Sequence, residues 1–222
     1  MRKNNLIKDK SIKSLKDLAY KKISKLLVDG VLQPDQPISE SELVNILNLG
    51  RTPVREAILM LEQEGLVRIY PRRGIFINRI SIKDVKELFE IREALESIAT
   101  RLTTKKGLKK DIEEIEKLFD KAEKEKNFNK ELRAYDEIHD VLHEFILDNC
   151  GNLRIKKIIN NYRTLLLLQQ QIAISIPSRA ETSFREHKEI LGAMKLGNAV
   201  EAEQKMKHHI ISTYKDIIKE LE

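Results

Sequence analysis

Between residues 39 and 79 the hydrophobic period switches from that of helices to that of strands, and few folds accommodate such a switch in so short a span. Ser39 stands three residues before Glu42, just ahead of Leu43, Val44, Ile46 and Leu47. Such a pair satisfies the free N–H groups of a helix start from both sides, so the spacing predicts a capped amphipathic helix. The stretch "TPVREAILMLEQEG" predicts another, with Pro53 in its first turn and Gly65 at its end. Then "LVRIY" and "IFINR" read as two short strands around the arginine-rich turn "PRRG". Upstream, "SLKDLAYKKISKLLVDG" (14–30) has helical spacing of its apolar residues and a terminal Gly30.

Three helices, the last two joined by a short turn, followed by a two-stranded wing describe a winged helix-turn-helix. In that arrangement the third helix enters the DNA major groove and its first residues reach the bases. Arg51, Thr52 and Arg55 occupy those positions, and Arg72, Arg73 and Gly74 form the wing tip. Arginine can grip guanine or phosphate with two hydrogen bonds, and threonine and free helix N–H groups can hold phosphate. The competing reading is ordinary solvated surface, but these arginines cluster at the two places where this fold touches DNA.

Charge agrees. Residues 1–79 hold 15 Lys+Arg against 9 Asp+Glu, whereas residues 80–222 hold 26 of each. The whole net charge of +6 therefore sits in the first third, as expected of a basic module that meets a polyanion. No apolar run approaches the roughly 20 residues a membrane span needs. Cys150 is the single cysteine, which excludes an internal disulfide and suits a reducing cytoplasm.

From Ser81 onward the pattern is helical throughout. Gly107, Gly151, Pro177 and Gly197 punctuate six expected helices, over 82–104, 108–126, 130–149, 152–175, 179–196 and 199–221. The expectation is a mainly α protein: a winged helix-turn-helix over 11–79 and an all-helical bundle over 80–222. The lysine-rich segment 105–126 reads as a solvated helix face.

All five histidines lie in the second region. His139 and His143 are four apart, so their rings leave one side of one helix, at the shoulder of its apolar face. His187 aligns with Phe184, Ile190 and Leu191, and His209 with Ala202, Met206 and Ile210; His208 is turned away by about 100°. Four histidines should therefore point inward from three helices. Each alone is more simply a hydrogen-bonded core residue, but four buried rings all need partners, and one metal ion would serve a nitrogen on each.

The stretch "GRTPVREAILMLEQEGLVRIYPRRGIFI" resembles the DNA-binding domain of the GntR family of bacterial transcription regulators, and the likeness extends back through "LVDGVLQPDQPISESELVNIL". In the second region "LFEIREALESIA", "HEFILDNCGN" and "EHKEILGAMKLGNAVEAEQKMKHHI" resemble the FadR-type, or FCD, subfamily. The resemblance implies DNA contacts from Arg51, Thr52, Arg55, Arg73 and Gly74. It also implies a homodimer on a palindromic operator, and a small organic-acid effector inside the bundle, often beside a divalent metal held by one Asp and three His. Two positions depart from the family: Ser41 stands where an arginine is frequent, and Gly50 where Ser or Thr is usual.

By position His143, His187 and His209 match the family's three histidine ligands, and His139 stands where its aspartate is expected. Four neutral imidazoles suit Zn or Ni better than Mn or Mg, and leave the ion's charge for a carboxylate effector to neutralise. Asp136, seven residues before His143, is the alternative ligand or a partner for an imidazole N–H. The family also implies that Arg92 faces the effector; the competing reading is a salt bridge with Glu96 four residues on. Two other functions stay open at this point. One is a regulator with a metal-free pocket for a lipid-like effector. The other is a metal hydrolase, disfavoured because four protein ligands saturate a tetrahedral zinc.

Overall fold

The computed structural model describes residues 14–34, 36–124, 132–176 and 178–221, without the side chains of residues 124 and 132–138. The chain forms two compact units, 1–80 and 81–222.

In the first unit, α1 (Leu15–Val28), α2 (Glu40–Leu47) and α3 (Arg51–Gln63) enclose a core of Ala19, Ile23, Leu43, Val54, Ala57 and Leu61. The capping box at α2 forms as its spacing predicts: Ser39 Oγ accepts from the Glu42 N–H at 3.1 Å, and Glu42 Oε2 accepts from the Ser39 N–H at 2.7 Å. Strands β2 (Val67–Tyr70) and β3 (Gly74–Ile77) pair antiparallel, placing Ile69 opposite Ile75 and Tyr70 opposite Gly74. A two-residue strand, β1 (Pro37–Ile38), adds to the other side of β3, giving the order β1-β3-β2. Its sequence carried no strand signal. Pro37 is tolerated there because β1 is an edge.

The second unit is all-helical among the described residues: α4 (Ile82–Thr104), α5 (Lys109–Lys124), α6 (Leu132–Asn149), α7 (Leu153–Asn160), α8 (Arg163–Ser175), α9 (Arg179–Lys195) and α10 (Ala199–Leu221). Helix α4 opens on a second capping box, between Ser81 and Asp84. It packs along α10, which also meets α9, while α6 lies against α4 and α9. Leu142, Ile146, Ile190, Leu191, Met206 and Ile210 fill the centre; each such side chain contributes about 1.5–3 kcal/mol when fully buried. Helix α5 buries Ile112, Ile115 and Phe119 and turns most of its lysines to solvent. Ion pairs from Lys188 to Asp120 and Glu123, and from Lys195 to Glu116, join α5 to α9.

One expected helix is corrected. The segment 152–175 is two helices, because Asn161 ends α7 and Tyr162, at φ −114 and ψ 19, leaves helical geometry. Asn160 and Asn161 are poor helix residues whose side chains compete for backbone hydrogen bonds. The break matters for the site, since it re-aims α8. No described helix is long and apolar enough to cross a membrane.

Gly74 is needed at the wing. Its φ is +103, and a Cβ there would lie 3.1 Å from the Ile38 carbonyl oxygen. Gly74→Ala is expected to destabilise the first unit by about 1–3 kcal/mol, measured as a lower urea midpoint with unchanged m-value.

Candidate functional site

The DNA-facing candidates are all at the surface of the first unit. Arg51, Thr52 and Arg55 are exposed in the first turns of α3. The N-cap, Gly50, makes no side-chain hydrogen bond to that helix, so the first N–H groups point out of its positive end, where phosphate is favoured. Arg72 and Arg73 are exposed at the hairpin tip, and Arg72 itself takes the left-handed conformation at φ 64. Arg68 and Arg73 lie 5.7 and 5.9 Å from the centre of the Tyr70 ring. That cation–π pairing holds both guanidiniums beside an exposed aromatic face. Arg68 was not singled out from the sequence, because one arginine inside a strand carries no positional signal.

In the second unit three helices bring four histidines together: His139 and His143 from α6, His187 from α9 and His209 from α10. One nitrogen of each lies within 4.8 Å of the others. His143 Nε2 is 3.3 Å from His187 Nε2, which is 3.2 Å from His209 Nε2. Nitrogens bound at about 2.0–2.1 Å to one ion at tetrahedral angles stand about 3.3 Å apart, so both separations from His187 suit ligands on a common ion. His143, His187 and His209 are buried, and His208 faces water.

Two carboxylates hold the rings in place. His143 Nδ1 donates to Glu96 Oε2 at 2.5 Å, and His209 Nδ1 to Glu186 Oε2 at 2.8 Å. An ionised carboxylate only accepts, so each Nδ1 carries the proton and, in a neutral ring, each Nε2 presents its lone pair inward. Both acids are neutralised in turn. Arg92 Nε donates to Glu96 Oε1 at 2.7 Å, and Arg179 Nη2 to Glu186 Oε2 at 2.5 Å. Arg179 also reaches Ser212, Thr213 and Asp216 on α10. The Glu96 carboxyl is held well below its ordinary range. Burial opposes ionisation there, but Arg92 and His143 together outweigh it.

His139 differs from the other three. Its ring stacks on His143, with centroids 4.4 Å apart, and its side chain is 23% exposed. Its Nδ1 is buried without a hydrogen-bond partner among the described residues, 3.6 Å from Asp140 Oδ1. One of its ring nitrogens lies within 4.8 Å of a nitrogen on each of the other three, which fits a fourth ligand. The side chain of Asp136 lies outside the described residues. His139, His143 and His187 open onto a cavity of about 80 Å³, room for several waters or a small organic molecule. Arg92 makes the expected salt bridge with Glu96 and also lines this cavity. At the cavity wall Arg163 pairs with Glu144 at 2.6 Å and Asp140 at 3.5 Å.

Sequence reasoning missed Glu186, Arg179 and the role of Glu96 toward His143. Glu186 precedes His187 directly, yet it serves His209, 23 residues away, so no local spacing reveals it.

Two family models divide the chain between them. The FCD domain model matches residues 87–212, more than half of the chain, and the model for bacterial regulatory proteins of the gntR family matches residues 15–77. The chain belongs to the GntR family, with an FCD domain. Among its relatives, the HTH-type transcriptional regulator YdhC of Bacillus subtilis is 28% identical over 86% of this chain and 85% of its own. The HTH-type transcriptional repressor RspR of Escherichia coli is 25% identical over 86% and 83%. In fold, E. coli McbR/YncC superposes with a TM-score of 0.73 at 18% identity, covering 95% of this chain and all of that one. This GntR protein is thus a DNA-binding transcriptional regulator of the FCD type.

Burial makes His139, His187 and His209 acid-sensitive. It pushes His187 and His209 well below the ordinary imidazole value, helped by neighbouring rings and Arg179, and it takes His139 down to about 4, helped by His143. Each of these groups binds fewer protons folded than unfolded. Their contribution to stability is therefore full above about pH 6.5 and declines as pH falls through that value. Metal-free protein is expected to lose about 1 kcal/mol for each of His187 and His209 between pH 7.5 and 5.5. Urea titrations at the two pH values test this, and a His187→Gln, His209→Gln protein should show the shallower dependence.

Proposed function

We propose that this regulator binds a palindromic operator as a homodimer and is controlled by a small carboxylate effector, taken up at a divalent-metal site in the helical unit. The observation that carries the reading is that His143 Nε2 and His209 Nε2 lie 3.3 and 3.2 Å from His187 Nε2, the two outer rings being held by the buried Glu96 and the half-buried Glu186. His143, His187 and His209 hold the ion, and His139 is the fourth ligand. Imidazole-only ligation favours Zn or Ni. When bound, the ion supplies a positive charge that an effector carboxylate can meet. Glu96 and Glu186 are already paired with Arg92 and Arg179, and Asp140 and Glu144 at the cavity wall with Arg163, so the nearby carboxylates are already partnered. Arg92 lines the same cavity and offers guanidinium N–H groups to a carboxylate.

In the first unit, Arg51, Thr52 and Arg55 meet the major groove, and Arg72, Arg73 and Gly74 follow the adjacent backbone or groove. Coupling between units follows from differential binding: an effector that prefers one arrangement of the dimer shifts the spacing of the two reading heads.

Metal analysis of the purified full-length protein should find close to one Zn or Ni per chain, with metal affinity falling at least about tenfold in His187→Ala and His209→Ala, no less than the cost of losing a group that only orients a ligand. Unchanged metal content in His139→Ala would move the fourth ligand to Asp136 or remove it. An apoprotein that still responds to carboxylates would favour the metal-free pocket. For DNA, fluorescence anisotropy on the protein's own upstream region should show a steep loss of affinity with salt. Arg51→Ala and Arg55→Ala should each cost about tenfold or more, from lost base or phosphate contacts. Binding no tighter than to random DNA would overturn the operator assignment.

A further inference from the structure

Helix α8 carries an unexplained polar side chain in the wall of the cavity. Leu166, Gln169, Gln170 and Ala173 line it, three or four residues apart and so on one face of the helix. The position of Gln169 is a core position. Its side chain is 1% exposed, and Leu165 and Ala173 beside it are buried apolar residues. Yet neither its Nε2 nor its Oε1 has a hydrogen-bond partner among the described residues. Proteins rarely leave one buried polar atom unsatisfied, and leaving both ends of an amide so is rarer still. Leucine or methionine would fill this place without that cost. The same cavity, of about 80 Å³, is lined by Arg92, His139, His143 and His187.

We propose that Gln169 is a specificity-determining residue that reads a hydroxyl group on the acid entering this cavity, making the effector class small hydroxy acids; this rests on the effector reading above. The choice follows from the amide. Nε2 donates and Oε1 accepts, so full satisfaction needs a group that does both. A hydroxyl accepts from Nε2–H and donates its own proton to Oε1. A keto oxygen or second carboxylate satisfies only Nε2 and leaves Oε1 facing another acceptor. A methylene satisfies neither. The anionic end is left to Arg92 and the histidines, and the hydroxyl end to α8. Discrimination of this kind is strong, because the analogue lacking the hydroxyl leaves buried polar atoms unpaired.

The test is isothermal titration calorimetry on the full-length protein as purified, with matched two- to six-carbon acids: lactate, propionate and pyruvate; malate and succinate; and longer hydroxy acids against their deoxy counterparts. At least one hydroxy acid should bind tenfold or more tightly than its deoxy and keto partners. In Gln169→Met that ratio should fall below about threefold, mainly through weaker binding of the hydroxy acid, while ligand-free thermal stability holds or rises as the orphan amide is removed. Gln169→Asn provides a second variant that keeps both polar atoms and should retain part of the preference. Hydroxy and deoxy acids binding alike to the wild type, or a ratio unchanged in Gln169→Met, would overturn the role of Gln169 and leave the effector reading standing. So would a marked loss of ligand-free stability in Gln169→Met, which would mean the amide is structural. No heat from any acid of either series would overturn both.

Discussion

One buried carboxylate organises the helical unit. Glu96 is 3% exposed and accepts from Arg92 on its own helix and from His143 on α6. A lone anion in that position is untenable, as is a lone guanidinium at Arg92, so each is there because of the other. Removing one partner of such a pair typically costs about 3–5 kcal/mol, since the remaining charge stays buried. The pairing gives α4 and α6 a fixed register that apolar contacts alone would specify weakly. Glu186 and Arg179 repeat the device between α9 and α10. The imidazoles sit between these two ion pairs, and their orientation is inherited from them.

The helix ends of the DNA-binding unit were legible because their signals are local. Ser39 with Glu42, Pro53, and Gly65 each act within a turn of the residue that carries them, and the hairpin announces itself by a change of period. Strand β1 was not legible, since two residues have no period and Pro37 argues against a strand until an edge is available. The break between α7 and α8 was hidden for a related reason. Apolar residues on both sides keep helical spacing, and only the weak preference of Asn160 and Asn161 marks the interruption.

The site divides in the same way. The inward direction of four histidines follows from about 100° of rotation per residue, which also separates His209 from His208 correctly. What aligns the ring nitrogens does not follow. Glu186 serves a histidine 23 residues distant and Glu96 one 47 residues distant. Gln169 reads in sequence as one of three consecutive glutamines on a polar patch, and only the re-aimed α8 turns it into the interior. Long-range partners of this kind are a property of packing, which periodicity does not report.

Counting protons around the cluster shows why it is incomplete by itself. With the Nδ1 protons of His143 and His209 given to carboxylates, both of their Nε2 atoms are acceptors, and both face the Nε2 of His187. A single N–H on His187 can satisfy one of them and never both. Every arrangement of neutral rings therefore leaves at least one buried ring lone pair without a donor inside the trio. An added proton would supply that donor only by burying net charge where desolvation already disfavours it. The trio is an odd-numbered hydrogen-bonding problem, which a cation accepting electron pairs from all three rings at once could solve.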